Sequence, residues 1–236
     1  MKRFVALVVA IFAVAASAAP AQAALILVTN RAALNGNDFI DWRTAGSEYT
    51  QLGNPFNITS NLGDIVTVSK ALSGNFERRD QSSGWNGNFA PGDAVLWTQN
   101  SSNNTNPISI FDFNGSGVSA VGTQIQADFF GTFVARIEAF DVNNNSLGFF
   151  TVNGNSTSDG DNSAIFIGVR STDTPIARIA FSLDSATQDI GDFAINRVDF
   201  DNRVTEIPEP ATLAVFGLMA AGAFGVRRRL KAYESR

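Results

Sequence analysis

Short runs in which apolar and polar residues alternate dominate this sequence, and they constrain the fold more than any other feature. The clearest is Thr132–Phe140, where Phe133, Ala135, Ile137 and Ala139 fall on one face. Because side chains of a β-strand point alternately to the two faces of a sheet, this run predicts a strand with one buried face. The polar residues that follow predict a turn, and the next apolar run predicts the returning strand of a hairpin.

Similar runs recur along the chain, and clusters of Gly, Asn and Asp separate them. They are Ile65–Val68, Val95–Trp97, Ile108–Phe113, Val118–Ala127, Leu147–Val152, Ala164–Val169, Ile176–Leu183 and Asp192–Phe200. The two most polar stretches, Asn100–Asn106 and Asn153–Ser163, are predicted to be loops. No stretch of residues 24–203 has the period of an amphipathic helix. We therefore predict an all-β domain over residues 24–203, an antiparallel β-sandwich.

The N-terminal residues have the three parts of a secretory signal. Lys2 and Arg3 precede an apolar run over residues 4–14, and Ala21 and Ala23 form an Ala-x-Ala cleavage site. The apolar run is too short to span a bilayer, which needs about 20 residues. Residues 1–23 are therefore predicted to be a cleaved signal peptide, and the mature protein is predicted to be exported.

The C-terminal residues also have three parts in a fixed order. They are the tripeptide Pro208-Glu209-Pro210, an apolar run over residues 211–226, and the basic triplet Arg227-Arg228-Arg229. The apolar run predicts a transmembrane helix slightly shorter than the usual span of about 17 to 25 residues. A basic cluster directly after such a run is a stop signal that stays on the cytoplasmic side. Residues 204–207 are the predicted tether between this helix and the sandwich.

These three parts, together with the signal peptide, resemble the PEP-CTERM proteins, and residues 208–231 carry the resemblance. It implies that an exosortase, a membrane protease-transpeptidase of Gram-negative bacteria, sorts the chain. It also implies a transient anchor in the inner membrane, followed by release to the cell envelope or the extracellular space, in association with exopolysaccharide. The signal is common to many unrelated domains, so the resemblance implies no single activity for the domain.

The second half of the domain, from about Gly117 to Asp201, resembles the jelly-roll domains of PEP-CTERM proteins. The similar features are the hairpin over residues 140–148, Phe-Ile-Gly-Val at 166–169 and Asp-Phe-Ala-Ile-Asn at 192–196. The resemblance implies a jelly-roll-like β-sandwich. Sandwiches of this kind serve as carbohydrate-binding modules, but a shared fold does not carry function.

The composition excludes several classes of function. Residues 24–207 contain ten Lys and Arg against twenty Asp and Glu, so the exported domain is acidic and no nucleic-acid partner is predicted. The sequence has no His, which excludes a His-based catalytic triad and removes the commonest zinc ligand. It also has no Cys, so no disulfide stabilises the fold. No catalytic residue is predicted.

Two polar segments have oxygen ligands at a spacing that could hold calcium. Asp141, Asn143 and Asn145 alternate as at the start of an EF-hand loop, although the glycine and the glutamate that such a loop needs are missing. Asp159 and Asp161 lie in the second predicted loop. The alternative is an ordinary turn, because turns favour the same residues. Calcium is a hypothesis for these residues, and no other cofactor is predicted.

Two tryptophans are candidate sugar contacts, because flat rings stack on sugar faces. Trp85 lies among small polar residues, where its ring either closes one end of the sandwich or forms an exposed platform, and Trp97 lies in a predicted strand. Two hypotheses follow. The first is a non-enzymatic envelope or extracellular-matrix protein that binds exopolysaccharide. The alternative is a secreted carbohydrate-active enzyme that uses a pair of carboxylates.

Overall fold

Two antiparallel sheets make up nearly all of the chain that the computed structural model describes, which is residues 25–99, 106–115, 117–188 and 190–203. The strands are β1 (Leu25–Val28), β2 (Asp38–Ile40), β3 (Gln51–Leu52), β4 (Phe56–Thr59), β5 (Ile65–Lys70), β6 (Phe76–Asp80), β7 (Ala94–Trp97), β8 (Ser109–Asp112), β9 (Ala120–Ala127), β10 (Gly131–Phe140), β11 (Ser146–Ser156), β12 (Ile165–Ser171), β13 (Arg178–Ala186), β14 (Phe193–Ile195) and β15 (Val198–Asp201). A single-turn helix, α1 (Arg31–Leu34), and a 3₁₀ turn over Trp42–Ala45 interrupt them.

The two sheets differ in size and strand order. The large sheet has the order β1-β12-β9-β14-β7-β6-β3, and β15 pairs with β9 and carries β2 on its other side. The small sheet has the order β11-β10-β13-β8-β5-β4. The sequence-based prediction of an all-β antiparallel sandwich is confirmed. The jelly-roll arrangement that the resemblance implied stays a prediction.

The core lies between the two sheets, and on β10 it contains the alternate apolar residues that the sequence pattern predicted. On β10, Phe133, Ala135, Ile137 and Ala139 are all buried, while the intervening residues are partly exposed. Aromatic rings fill the centre: the rings of Phe111 and Phe181 meet edge to face, with centroids 5.5 Å apart. Truncation of such a buried ring costs about 3–5 kcal/mol, so these contacts stabilise the pairing of the sheets.

The hairpin of β10 and β11 is confirmed, but β11 is longer than predicted. It continues through Asn153, Gly154 and Asn155 to Ser156, so the prediction of a loop from residue 153 was wrong for these residues. The polar side chains do not prevent a strand here, because β11 is the last strand of the small sheet and its outer face is exposed. Gly154 lies against the ring of Phe133.

The predicted single strand Asp192–Phe200 is divided into β14 and β15. Both pair with β9, but Asn196 and Arg197 between them interrupt the ladder. The interruption is held in place by core contacts, since Trp42 Nε1 donates a 2.8 Å hydrogen bond to the carbonyl oxygen of Asn196. The consequence is that the side chains of Asn196 and Arg197 reach the outer surface of the large sheet.

The terminal segments lie outside the described residues. These include the signal peptide with Ala21 and Ala23, the Pro208-Glu209-Pro210 tripeptide, the helix predicted over 211–226 and the Arg227-Arg228-Arg229 triplet. None of the helices formed by residues 25–99, 106–115, 117–188 and 190–203 has the length and apolar character needed to cross a membrane.

Candidate functional site

The face of the large sheet that points away from the core, called the outer face below, is covered in two places. At one end, Leu34 of α1 packs against Val28, Ala120 and Phe166. Asn30 caps this helical turn, since its Oδ1 accepts a 2.8 Å hydrogen bond from the amide of Ala33. At the other end, the segment 81–93 lies on strands β7 and β14. The sheet between these two covers is open and forms a cleft.

This opening, called the polar cleft below, has a volume of about 560 Å³. Amide and charged side chains from several elements surround it, with one aromatic ring. Its lining residues are Thr29, Asn30, Arg31, Asp41, Arg43, Ala90, Asp93, Ala94, Gln124, Asn162, Ala164, Phe166, Asn196 and Arg197.

Asn196 is the centre of the hydrogen-bond network at the floor of the polar cleft. Its Nδ2 donates to Asp93 Oδ2 at 2.9 Å and to Gln124 Oε1 at 2.6 Å. Its Oδ1 accepts from Arg31 Nη2 at 2.9 Å. Gln124 is fixed in turn, because its Nε2 donates to the carbonyl oxygen of Ala164 at 2.9 Å. The polar groups of the cleft are therefore held in place before any ligand arrives, which lowers the entropic cost of binding.

Two arginines of the polar cleft share one carboxylate. Arg197 Nη2 lies 2.8 Å from Asp199 Oδ1, and Arg31 Nη1 contacts Asp199 Oδ2. Burial first and the charge of Arg197 second lower the pKa of Arg31 to about 10, and the charge of Asp93 opposes the shift. Arg31 is therefore a partly buried cation next to Arg197, and the carboxylates of Asp199 and Asp93 balance the two charges.

A second group of side chains, called the aromatic cluster below, lies on the outer face at strands β6 and β7. It consists of Tyr49, Glu77, Arg79 and Trp97. The guanidinium carbon of Arg79 lies 3.9 Å from the centre of the Trp97 ring and 5.8 Å from that of Tyr49. Arg79 Nε donates to Glu77 Oε1 at 2.5 Å. The cluster therefore combines two aromatic rings, a cation and a carboxylate.

Tyr49 has an unusual backbone and an exposed ring. Its φ is +65°, a conformation that costs a bulky residue about 1–2 kcal/mol. Its side chain is 55% exposed. Hydrogen bonds on both sides hold the backbone there. The amide of Tyr49 donates to the carbonyl oxygen of Arg78, and the amide of Arg78 donates to the carbonyl oxygen of Thr50. This backbone conformation places an aromatic ring at the surface, near Arg79.

The two tryptophans that the sequence nominated have different surroundings. Trp85 is 4% exposed and packs with Phe89, Val95 and Ala194, so it covers the outer face instead of forming an exposed platform. Its Nε1 donates to Gln126 Oε1 at 3.4 Å. Trp97 is partly exposed and belongs to the aromatic cluster. Sugar contact by either ring remains a prediction, and the burial of Trp85 leaves Trp97 as the better placed of the two.

Asp141, Asn143 and Asn145 form the turn between β10 and β11. Asp141 Oδ1 accepts hydrogen bonds from the amides of Asn143 at 2.9 Å and Asn145 at 2.7 Å, and Oδ2 accepts from Asn145 Nδ2 at 2.9 Å. The hydrogen bonds from Asn145 lower the pKa of Asp141. The carboxylate thus already stabilises the turn, which was the alternative to a calcium site.

Asp159 and Asp161 lie beyond the other end of β11. Thr157 Oγ1 donates to Asp159 at 2.7 Å, and Ser163 Oγ donates to Asp161 at 2.6 Å. Eleven residues of β11 separate this loop from the Asp141 turn, or about 35 Å of extended chain, so the structure does not bring the five candidates together. In the described part of the chain, no three His, Cys, Asp or Glu side chains are close enough to hold a metal ion.

Several residues of the outer face were not nominated from the sequence. Arg31, Arg197 and Gln124 had no motif that could have identified them. Asn196 was noted only as part of the Asp-Phe-Ala-Ile-Asn sequence, and Tyr49 was not among the proposed sugar contacts. The one sequence signal that could have helped was the polar pair Asn196-Arg197 between the apolar residues Ile195 and Val198, because polar residues inside an apolar run can mark an interruption of the strand.

Comparison with known proteins identifies the C-terminal segment. Residues 206–229 match the PEP-CTERM protein-sorting motif, which confirms the resemblance based on the tripeptide, the apolar run and the basic triplet. The motif implies that the chain is exported to the cell envelope or the extracellular space, and that an exosortase, a membrane protease, processes it. None of the curated proteins matches the chain.

Two solved structures are similar to the chain. A DUF4465 family protein from Bacteroides caccae is 14% identical, and the match covers 75% of this chain and 100% of that protein with a TM-score of 0.39. CsCBM6-3 from Clostridium stercorarium, solved in complex with cellobiose, is 11% identical, and the match covers 69% of this chain and 92% of that protein with a TM-score of 0.22. These similarities are weak, and they identify no ligand for this chain.

Proposed function

We propose that this chain is a non-enzymatic protein of the cell envelope or the extracellular matrix, and that its sandwich binds exopolysaccharide through the outer face of the large sheet. The apolar segment 211–226 holds the domain at the inner membrane, with the basic triplet on the cytoplasmic side. This anchor is transient, because exosortase processing at the Pro208-Glu209-Pro210 motif releases the domain.

The observation that carries the sugar-binding proposal is the exposed ring of Tyr49, which lies, like the ring of Trp97, near the guanidinium group of Arg79. Amphipathic rings stack on the apolar faces of sugars, and neighbouring polar groups read the hydroxyls. Arg79 is partly exposed and supplies a donor next to these rings, and its ion pair with the buried carboxylate of Glu77 holds it in place. The strained backbone of Tyr49 supports a functional role, because strain of this kind is concentrated at binding sites.

The polar cleft supports the same proposal from a second position on the outer face. Asn30 and Asn162 line the cleft with exposed amide side chains that can both donate to and accept from a polyhydroxylated ligand, while the buried amide of Asn196 holds Gln124 in place. The cleft is open on one side, as a polymer that continues beyond the site requires.

A matched pair of substitutions tests this proposal. Tyr49→Ser and Phe149→Ser each remove a ring that is about half exposed and has a guanidinium group on one side. Phe149 differs in its place, because it lies on the small sheet, with the guanidinium carbon of Arg136 3.6 Å from its ring centre. The full chain would be screened against a panel of polysaccharides by affinity electrophoresis. We expect Tyr49→Ser to weaken binding about tenfold, the effect of losing one stacking contact, and Phe149→Ser to leave it unchanged. Equal binding by both variants and the parent chain would rule out the aromatic cluster.

The enzyme hypothesis keeps one specific observation in its favour. Burial raises the pKa of Asp128, and the charge of Arg79 opposes this shift. The same Arg79 pairs with the second carboxylate, Glu77. A carboxyl group with a raised pKa is what a general acid requires. Incubation of any bound polysaccharide with the full chain decides the matter. Release of reducing ends that Glu77→Gln or Asp128→Asn abolishes would overturn the non-enzymatic proposal, and an unchanged polymer would support it.

The sorting step has a separate test. Replacement of Pro208, Glu209 and Pro210 by alanine leaves the apolar segment and the basic triplet intact, so we expect an unprocessed chain that stays in the inner membrane. The measurement is the apparent mass and the fractionation of the chain in a host that has an exosortase. Processing and location identical to those of the parent chain would contradict the proposed use of the motif.

A further inference from the structure

We propose that strand β11 is a self-association site, and that two copies of this chain form a dimer by pairing their β11 strands antiparallel. The inference does not depend on sugar binding, because β11 belongs to the small sheet and the outer face to the large one. It begins from the position of β11. Within residues 25–99, 106–115, 117–188 and 190–203, β11 pairs with β10 and with no other strand, so one of its edges is open. An open edge presents a row of backbone N–H and C=O groups that another strand can bind.

The length and composition of β11 distinguish it from the other strands at the sheet edges. β11 has 11 residues, whereas the other terminal strands, β1, β2, β3 and β4, have 4, 3, 2 and 4. Proteins prevent edge-to-edge pairing by short edge strands, by charged side chains and by prolines. β11 has none of these, because residues 146–156 include no charged residue and no proline. This edge is therefore suited to pairing with a second strand.

The backbone of β11 is in contact with solvent on both sides of its centre. Gly148 and Gly154 are partly exposed, and because glycine has no side chain, this exposure is that of the backbone. Between them, Phe150 and Val152 pack against the core, and Thr151 is exposed on the opposite face of the sheet. A second strand at this edge would therefore continue both faces of the small sheet.

The sequence of β11 is complementary to a second copy of itself. In a two-fold dimer the axis passes between equivalent residues, and the two strands run in opposite directions. Residues that lie opposite each other then point to the same face. With Thr151 on the axis, the opposite pairs are Thr151 with Thr151, Phe150 with Val152, Phe149 with Asn153, and Gly148 with Gly154. The core-facing pairs are apolar or glycine, and the exposed pairs bring no like charges together, so this register favours a second copy of the chain as the partner.

Cysteine substitutions test this register directly, because the chain has no cysteine of its own. Opposite residues of an antiparallel pair have Cα atoms about 4.5–5.5 Å apart, within the range of about 4.4–6.8 Å that a disulfide spans. Full-length Thr151→Cys, purified in detergent and oxidised, should therefore form a disulfide-linked dimer on a non-reducing gel. Asn153→Cys alone should not, because the two copies of this residue would be about 13 Å apart along the pair. A mixture of Phe149→Cys and Asn153→Cys chains should form the linked dimer that neither forms alone.

A charge on the two-fold axis gives an independent test. Thr151→Lys places two like charges opposite each other in the dimer. Thr59→Lys is the matched control, because Thr59 is an exposed threonine on β4, the strand at the other edge of the same sheet. Sedimentation equilibrium of the full-length chains in detergent measures the association, and the apolar segment 211–226 is present in every variant. We expect Thr151→Lys to weaken the association about fivefold and Thr59→Lys to leave it unchanged.

Linked dimers of Thr151→Cys and of the mixture, without linked dimers of Asn153→Cys alone, would support this register. Equal disulfide formation by all of these chains would indicate association through another part of the molecule and would overturn the inference. Absence of a linked Thr151→Cys dimer, or equal association of Thr151→Lys and Thr59→Lys, would also overturn it. Each of these results would leave the proposed function intact, because none of them measures polysaccharide binding.

Discussion

The guanidinium carbon of Arg79 lies 3.9 Å from the centre of the Trp97 ring. The two residues are on neighbouring strands of the large sheet, and Glu77, which pairs with Arg79, is directly opposite Trp97 in the register. Arg79 also donates from Nη1 to the carbonyl oxygen of Gly84 at 3.0 Å. One side chain thus connects the sheet, the aromatic cluster and the segment that covers the outer face.

Arg79→Ala should therefore destabilise the fold by about 3 kcal/mol, because it leaves the carboxylate of Glu77 buried without its partner. Arg79→Lys should cost about 1 kcal/mol, since the charge remains but the planar fork is lost. Urea unfolding of the purified chain measures both values. Arg136→Ala, which removes a more exposed ion pair, should cost less than about 1 kcal/mol. Similar losses for Arg79→Ala and Arg136→Ala would contradict the structural importance of Arg79.

Tyr49 allows stability and binding to be separated. At a φ of +65°, glycine avoids the steric cost that any residue with a Cβ incurs. We expect Tyr49→Gly to be more stable than Tyr49→Ala by about 1 kcal/mol, although both variants lose the ring. Thermal unfolding measures the difference. If both variants also bind polysaccharide equally weakly, the lost binding is due to the ring and not to a change in stability.

The alternating pattern predicted five of the six strands of the small sheet, all but β4, and it failed at β6 of the large sheet. The sequence of β6, Phe76–Asp80, is dominated by charged residues, yet Glu77 and Arg78 are buried. Their burial is tolerated because Arg79 pairs with Glu77, and Arg78 pairs with Asp80 at 2.6 Å. These pairs form only when the backbone is already extended and neighbouring strands exclude water. A pattern based on hydrophobicity cannot anticipate them.

The sequence predicted which type of residue the candidate site would use, but it did not predict which residues would lie together. Trp97 was proposed as a sugar contact because its ring suits a sugar, and the structure places it on the outer face against Arg79. The cleft could not be predicted, because Arg31 and Asp199 are far apart in sequence and meet only through the packing of α1 and β15 against β9. The distances that define the site thus depend on the register of the large sheet, which the sequence does not reveal.

Gly154 offers a test of the longer β11. A Cβ at this position would lie 2.4 Å from the nearest ring atom of Phe133, and Phe133 is in the core. Gly154→Ala should therefore destabilise the fold by about 1–3 kcal/mol, the usual cost of overpacking. Asn153→Ala on the same strand should have an effect within about 0.5 kcal/mol. If residues 153–156 were a loop, both substitutions would be equally mild in a chemical unfolding experiment.

The ionised side chain of Asp128 should destabilise the fold at neutral pH, so that the parent chain is less stable than a variant with the neutral isostere asparagine. Burial raises its pKa above the ordinary value of 3.8, with Arg79 opposing, so the ionised form is favoured more in the unfolded chain than in the folded one. Its contribution is unfavourable above the unfolded pKa and disappears as the pH falls below it. Asp128→Asn should therefore raise the melting temperature at pH 7 and leave it unchanged at pH 3. A lower melting temperature for the variant at pH 7 would contradict this sign.

Asp141 should have the opposite pH dependence to Asp128, and the substitution Asp141→Asn tests both this dependence and the calcium hypothesis for the turn. Hydrogen bonds from Asn145, first from its side chain and then from its backbone, lower the pKa of Asp141 below 3.8. The ionised carboxylate therefore stabilises the hairpin above the unfolded pKa, and this contribution is lost as the pH falls through the lower folded value. Asp141→Asn should unfold at a lower temperature than the parent chain at pH 7, and the difference should shrink below about pH 3.8.

Calcium at this turn would have to replace those hydrogen bonds with metal–oxygen contacts, since the carboxylate already accepts from Asn143 and Asn145. Binding there would release or absorb heat in a calcium titration of the parent chain, and Asp141→Asn would abolish the signal. A titration that shows neither heat nor a higher melting temperature removes the hypothesis for this turn. A signal that persists in Asp141→Asn but disappears in Asp161→Asn would place the ion in the loop around Asp159, because the two segments lie at opposite ends of β11.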